Sequence, residues 1–213
     1  MKTLIIGANG KIGQKLAAKL KNSAHPPVLM LRDQTQVDKY DGQGYETVLA
    51  DLEKDFNHAF KGIEAVVFTA GSGAHTGKDK THLVDRIGAK KAIDEAIKHK
   101  VNRFVLVSAL GADKDPSVWP AEMEHYYAAK ADADKYLLQT GLDYTILMPG
   151  RLTDGNGSGT IRLGDKIEKK SGSISRVDVA SVIVHLLDAK STYKRALELL
   201  EGDLPINKAI EQL

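Results

Sequence analysis

Short apolar runs at residues 3–6, 28–31, 47–50, 65–69, 104–107 and 144–148 recur along the chain, and longer amphipathic stretches fill most of the gaps between them. Runs of this length that are apolar throughout, rather than at alternate positions, are the mark of parallel strands buried on both faces. Residues 11–20, 82–98, 122–140 and 177–187 have the texture of helices. In the second of these, Leu83, Ile87, Ile93 and Ile97 recur close to the helical period. Strand, helix, strand repeated in this way specifies an α/β chain with a doubly wound parallel sheet and helices on both faces.

After Pro149-Gly150 the texture changes. Residues 151–175 are rich in Gly, Ser, Thr and Asp and read as loop, followed by the helix at 177–187 and a last strand at 196–200. Residues 151–213 are too few for a core of their own, so a single domain over 1–213 is expected, with 151–213 as a small extension on the substrate side. The 213 residues are 42% hydrophobic and 27% charged, an ordinary globular balance that excludes a disordered chain. A net charge of +2 with interspersed signs argues against a nucleic-acid partner. The densest basic stretch, Lys166, Lys169 and Lys170, is interrupted by Glu168 and reads as a solvated loop. The absence of cysteine excludes disulfides, thiolate metal sites and cysteine nucleophiles. The histidines show no metal-ligand spacing; His75 and His125 are pocket-lining candidates at most. The N-terminus lacks the apolar length of a signal peptide and no run approaches a membrane span, so a cytoplasmic protein with a small-molecule substrate is expected.

Gly7-Ala8-Asn9-Gly10-Lys11-Ile12-Gly13 follows the first strand and opens the first helix. Gly7 permits the tight turn, Gly10 lets backbone approach a pyrophosphate, and Gly13 allows close helix packing. The pyrophosphate would rest on the free amides of the helix N-terminus. The spacing is G-x-x-G-x-x-G rather than G-x-G-x-x-G, and its place behind a clean strand in a repeated strand–helix pattern points to a dinucleotide cofactor. The second strand ends in Arg32-Asp33, where an NAD site would place a carboxylate on the ribose hydroxyls. A guanidinium there suits a 2′-phosphate, with Lys11 as a possible second charge, so NADP is expected, with NAD possible through Asp33. Asp51-Leu52 and Ala70-Gly71 would also lie on the carboxyl edge of the sheet. Asp51 there either accepts from the adenine amino group or is the N-cap of a short helix that follows.

Together with Val107-Ser108-Ala109, Tyr126-x-x-x-Lys130, Pro149-Gly150 and Ser175-Arg176-Val177-Asp178, these motifs resemble the atypical short-chain dehydrogenase/reductase family, near NmrA-like, biliverdin reductase B-like and small epimerase-like proteins. The resemblance spans essentially the whole chain. It implies a Rossmann fold with an extended-type strand order, and a cofactor across the sheet edge along Gly7, Asn9, Gly10, Lys11, Ile12, Gly13, Arg32, Asp51, Leu52, Ala70, Gly71, Ser108, Lys130, Pro149 and Gly150. It further implies a catalytic set of Ser108, Tyr126 and Lys130, with Ser108 polarising the substrate oxygen and Lys130 also holding the nicotinamide ribose. Chemically, an ammonium one helical turn from a phenol is expected to favour phenolate and lower the tyrosine pKa. Tyr127, three residues from Lys130, is the competing phenol. Asp85 departs from the asparagine of many extended relatives. The expected function is an NAD(P)-dependent oxidoreductase acting on a small carbonyl, quinone or flavin-like acceptor. The alternatives are a non-catalytic redox sensor that binds a partner protein and a sugar-nucleotide epimerase or dehydratase, the latter disfavoured by the short C-terminal portion.

Overall fold

The computed structural model describes residues 1–73, 77–168 and 172–213; His75, Lys169 and Lys170 lie outside the described residues. Six strands, β1 (Thr3–Ile6), β2 (Pro27–Leu31), β3 (Glu46–Leu49), β4 (Ala65–Phe68), β5 (Arg103–Val107) and β6 (Asp143–Pro149), pair in parallel in the order β3-β2-β1-β4-β5-β6. They coincide with the expected apolar runs to within a residue or so at each end. β10 (Arg195–Glu201) adds in parallel beside β6. The strand order reverses between β1 and β4, and that switch point opens a crevice beyond the carboxyl ends of the strands.

Both faces of the sheet's centre are covered, which is why residues 4–6, 28–31, 65–68 and 104–107 are apolar at successive positions, while the edge strand β3 is exposed at both ends. Ile5, Leu29, Val105 and Leu147 point into one cluster with α1 (Lys11–Leu20) and α6 (Arg176–Leu186). Their neighbours Leu4, Val28, Phe104 and Ile146 point into the other, with α4 (Ala89–Lys98) and α5 (Glu124–Leu138). The helix expected over 82–98 begins earlier, as α3 (Lys78–Lys80). It then passes through a π-wound segment, Thr81–Gly88, before continuing as α4. Such widened turns often accompany functional sites because they re-aim side chains.

Two stretches differ from the expectation. Residues 151–175 are not simply loop: they hold β7 (Arg151–Thr153), β8 (Thr160–Gly164) and β9 (Ser173–Ser175). β8 runs antiparallel to β10 and to β11 (Leu204–Pro205), and β7 pairs with β9 in a separate ribbon. Among β8 residues only Ile161 is fully buried, so backbone pairing carries a strand that the apolar pattern cannot signal. The helix α2 (Gln34–Asp41) was also not expected. It is mostly polar, and starts where the Asp33 carboxylate accepts from the Gln36 backbone N–H at 2.9 Å and the Thr35 hydroxyl at 2.6 Å.

Arg103, buried at the start of β5, ties the sheet to a helix end. Its guanidinium donates to the carbonyls of Leu186 and Leu187 at the C-terminus of α6 and to that of Asp143, and lies 4.4 Å from the centre of the Tyr193 ring. Burial pushes its pKa down to about 10, with Tyr193 and Asp143 partly opposing. Replacing it leaves buried carbonyls without donors, so Arg103→Met is expected to lower the unfolding free energy by about 2–4 kcal/mol in urea titrations.

Candidate functional site

Beyond the ends of β1, β4, β5 and β6 lies a cavity of about 1710 Å³. Gly10, Lys11, Ile12, Ala70, Gly71, Ser108, Tyr126, Lys130, Pro149 and Gly150 all line it. Gly7, Asn9, Gly13, Arg32, Asp51 and Leu52 do not. Gly7 and Gly13 build the loop instead. Gly7 has φ +90°, and a Cβ on it would sit 2.5 Å from the Ala70 nitrogen; one on Gly13 would sit 2.3 Å from the Gly7 oxygen. A Cβ on Gly10 would meet only the Gly7 oxygen, at 3.1 Å, so this glycine leaves the backbone open towards the cavity. Asn9 is held by the Tyr40 hydroxyl, which donates to its side-chain oxygen at 3.1 Å. Asp51 accepts from the Glu53 backbone N–H at 3.0 Å and so caps the turn. Leu52 packs beside Gly88 of the π-wound segment.

The N-terminus of α1 has no side-chain cap and no acid in its first turn. Its amides are free for an anion, and the residues present therefore fit the diphosphate of a dinucleotide. Lys11 is engaged with Asp154 at 2.7 Å, and Asp154 also takes Arg176 at 2.7 Å, so the C-terminal segment reaches across to the glycine loop. Arg32 is exposed and has no hydrogen bond or ion pair with a described residue. The neighbouring Asp33 is committed to its cap: hydrogen bonds from Thr35 and then Gln36 hold its carboxyl below the usual range.

The ionisable groups converge under the cavity floor. Lys130 is buried, with Nζ 3.0 Å from Asp85 Oδ1 and donating to the Val107 carbonyl at 3.3 Å. Asp85 is placed there by the π-wound turn, and its other oxygen accepts from the Ser72 N–H at 2.8 Å. Burial opposes the Lys130 charge, but Asp85 and then Tyr126 outweigh it, so its pKa lies above the ordinary lysine value. Lys130 Nζ stands 5.8 Å from the centre of the Tyr126 ring. The expectation of a lowered tyrosine pKa is corrected here. Burial raises the Tyr126 pKa and Asp85 adds to the rise, together outweighing the pull of Lys130, so the phenol keeps its proton. Tyr127 stacks on Trp119 at 5.8 Å as an aromatic wall, and Trp119 Nε1 donates to the Gly111 carbonyl at 2.9 Å. His125 lines the same cavity. One residue was missed by sequence reasoning. Asp134 is buried beneath Ser108 and accepts its hydroxyl at 2.6 Å. Tyr126, Lys130 and Asp134 recur at four-residue spacing on one face of α5, and that periodicity was the available signal.

With this geometry in view, residues 7–190 match the family described as NAD(P)H-binding. The chain belongs to that NAD(P)H-binding family. Its atypical short-chain dehydrogenase/reductase character agrees with its relatives. It is 44% identical over 217 residues to a Bacillus subtilis protein named as an uncharacterized sugar epimerase, YhfK, with both chains fully covered. A solved structure from Bacillus halodurans, described as an NAD-dependent epimerase/dehydratase, superposes with a TM-score of 0.95 at 45% identity, again with both chains fully covered. ChuY of Escherichia coli O157:H7, described as an anaerobilin reductase, superposes with a TM-score of 0.83 at 28% identity, covering 96% of this chain and 98% of its own. Among the described residues no group of three or more His, Asp or Glu is placed to hold a metal, and no helix is long and apolar enough to cross a membrane.

In this family member the Asp134 carboxyl is pushed up to about 7, chiefly by burial, with the Ser108 hydrogen bond and Lys130 opposing and Asp113 adding to the rise. The folded state therefore favours its neutral form. The cost of ionising it is absent below the unfolded value near 3.8, grows as pH rises, and is complete above about 7. Asp134→Asn carries no such cost. Its unfolding free energy relative to wild type is expected to rise by about 2–3 kcal/mol between pH 5 and pH 8, at ~1.4 kcal/mol per pKa unit, in denaturant titrations at each pH.

Proposed function

We propose that this chain is an NADPH-preferring reductase of small carbonyl, quinone or flavin-like acceptors, and the observation that carries the reading is Tyr126. A phenol that keeps its proton, beside a buried ammonium and in one cavity with Ser108, is a proton donor waiting for an acceptor oxygen. The bound dinucleotide would supply the hydride. The free amides of α1 would hold its diphosphate, Lys130 the nicotinamide ribose, and Pro149-Gly150 the nicotinamide edge. Ser108 would then orient the acceptor oxygen while Tyr126 protonates it. The competing phenol, Tyr127, is engaged in its stack with Trp119. The aromatic surface of Trp119, Tyr126 and Tyr127 suits a flat conjugated acceptor better than a sugar, which supports a reductase over the epimerase named for a relative.

Cofactor choice rests on Arg32, the unengaged charge at the end of β2, since Asp33 is occupied by its own helix cap. NADPH is expected to bind more tightly than NADH in titration calorimetry. Arg32→Ala is expected to remove about 1.5–3 kcal/mol of that preference, the worth of a charge-assisted contact. Equal affinity of the wild type for both cofactors would overturn the assignment.

Turnover is tested by NADPH consumption over a panel of aldehydes, quinones and flavins. Tyr126→Phe is expected to reduce carbonyl acceptors about 10²–10⁴-fold more slowly while still quenching Trp119 emission on binding NADPH. Undiminished carbonyl reduction by Tyr126→Phe would remove Tyr126 as the acid. Binding without consumption of NADPH by any acceptor would favour the sensor reading.

A further inference from the structure

Ser108 has a single hydroxyl proton, and a carboxyl oxygen of Asp134 lies within hydrogen-bond reach of it on the side away from the cavity. The residue follows β5, with its backbone N–H held by the Leu147 carbonyl at 2.8 Å. Its Oγ donates to Asp134 Oδ2 at 2.6 Å, away from the cavity that Ser108 lines. The other Asp134 oxygen is buried and has no hydrogen-bond partner among the described residues.

We propose that Asp134 is a protonation-gated positioning residue, whose carboxyl decides whether the Ser108 proton is turned inward or offered to the acceptor oxygen in the cavity. This rests on the reductase reading above. An ionised carboxylate only accepts hydrogen bonds, so it claims the serine proton and leaves lone pairs facing the cavity, which repel the negative charge developing on an acceptor oxygen. A neutral carboxyl donates its own proton to Ser108 Oγ and frees the serine proton to point into the cavity. The gate takes up one proton from solvent and gives none to the product. In the reduction the acceptor carbon takes a hydride, its oxygen takes the Tyr126 proton, and Ser108 contributes a hydrogen bond only.

The surroundings favour a gate that works near neutrality. Lys130 lies one turn earlier on α5 but is shared with Asp85 from the π-wound segment, 3.0 Å away. Tyr126, a further turn back, stays neutral. From the loop after β5, Asp113 faces the group and is itself paired with Lys166, which also reaches Glu198 of β10 at 3.7 Å. One nearby positive charge, already shared, does not compensate a buried carboxylate with an orphan oxygen, consistent with a carboxyl pushed up to about 7.

The test is the pH dependence of kcat for a carbonyl acceptor with saturating NADPH. Wild type is expected to lose about tenfold per pH unit above about 7. Asp134→Asn, whose amide donates to Ser108 at every pH, is expected to flatten that limb, and Asp134→Glu to restore it. NADPH affinity, read from Trp119 quenching, should be the same in wild type and both variants. Independently of turnover, carbon-13 spectra of aspartate-labelled protein without cofactor should show one carboxyl titrating near 7 that is missing from Asp134→Asn. Wild-type turnover with an unchanged alkaline limb in Asp134→Asn overturns the gate alone, as does an Asp134 carboxyl that titrates in the ordinary aspartate range. No turnover at any pH despite NADPH binding overturns the reductase reading and the gate with it.

Discussion

A buried ammonium is the constraint around which the site is arranged. Removing the Lys130 charge from water costs several kcal/mol unless partners replace the lost hydration. Those partners come from three separate places: the Asp85 carboxylate, the Val107 carbonyl at the end of β5, and the Tyr126 ring one turn earlier on α5. Asp85 reaches Lys130 from a segment wound wider than an α-helix, and it simultaneously pins the strand-end loop through the Ser72 N–H. The same ion pair thus joins α5, the helix that enters through Thr81–Gly88, and the carboxyl edge of the sheet.

Two buried aspartates near one lysine divide the work by distance. Asp85 is in direct contact with the ammonium and satisfied on its other oxygen, so the pair carries little net charge. Among the described residues Asp134 has only the Ser108 hydroxyl and an orphan oxygen, so burial dominates and its neutral form persists up to about pH 7. Burial with a direct cationic partner in one case and without one in the other is how a single site combines an ion pair with a titrating carboxyl.

The C-terminal segment completes the cavity through close backbone packing as much as through charge. A Cβ on Gly150 would lie 2.4 Å from Leu200 and 2.7 Å from the Gly172 oxygen, so glycine there lets the β7–β9 ribbon press against β10. Asp154 then reaches Lys11 and Arg176 at the rim. These rim contacts are solvent-exposed and add little stability. Their consequence is positional, since they set the segment after β7 beside the glycine loop.

The doubly wound sheet was legible because residues such as Leu4, Ile5 and Ile6 are apolar in succession, and only strands covered on both faces demand that. The glycine loop was legible because Gly7 and Gly13 answer local backbone needs. The four-residue spacing of Tyr126 and Lys130 is by itself enough to put both on one face of a helix. β8 and α2 escaped because neighbouring backbone and the Asp33 cap hold them, not an apolar pattern. Proton affinities were beyond the sequence as well. The spacing of Tyr126 and Lys130 suggested a lowered phenol pKa, yet burial together with Asp85, distant in sequence, reversed the direction. Side-chain periodicity is a local property that a sequence determines by itself; desolvation depends on which distant segments close over a group, and only the tertiary structure decides that.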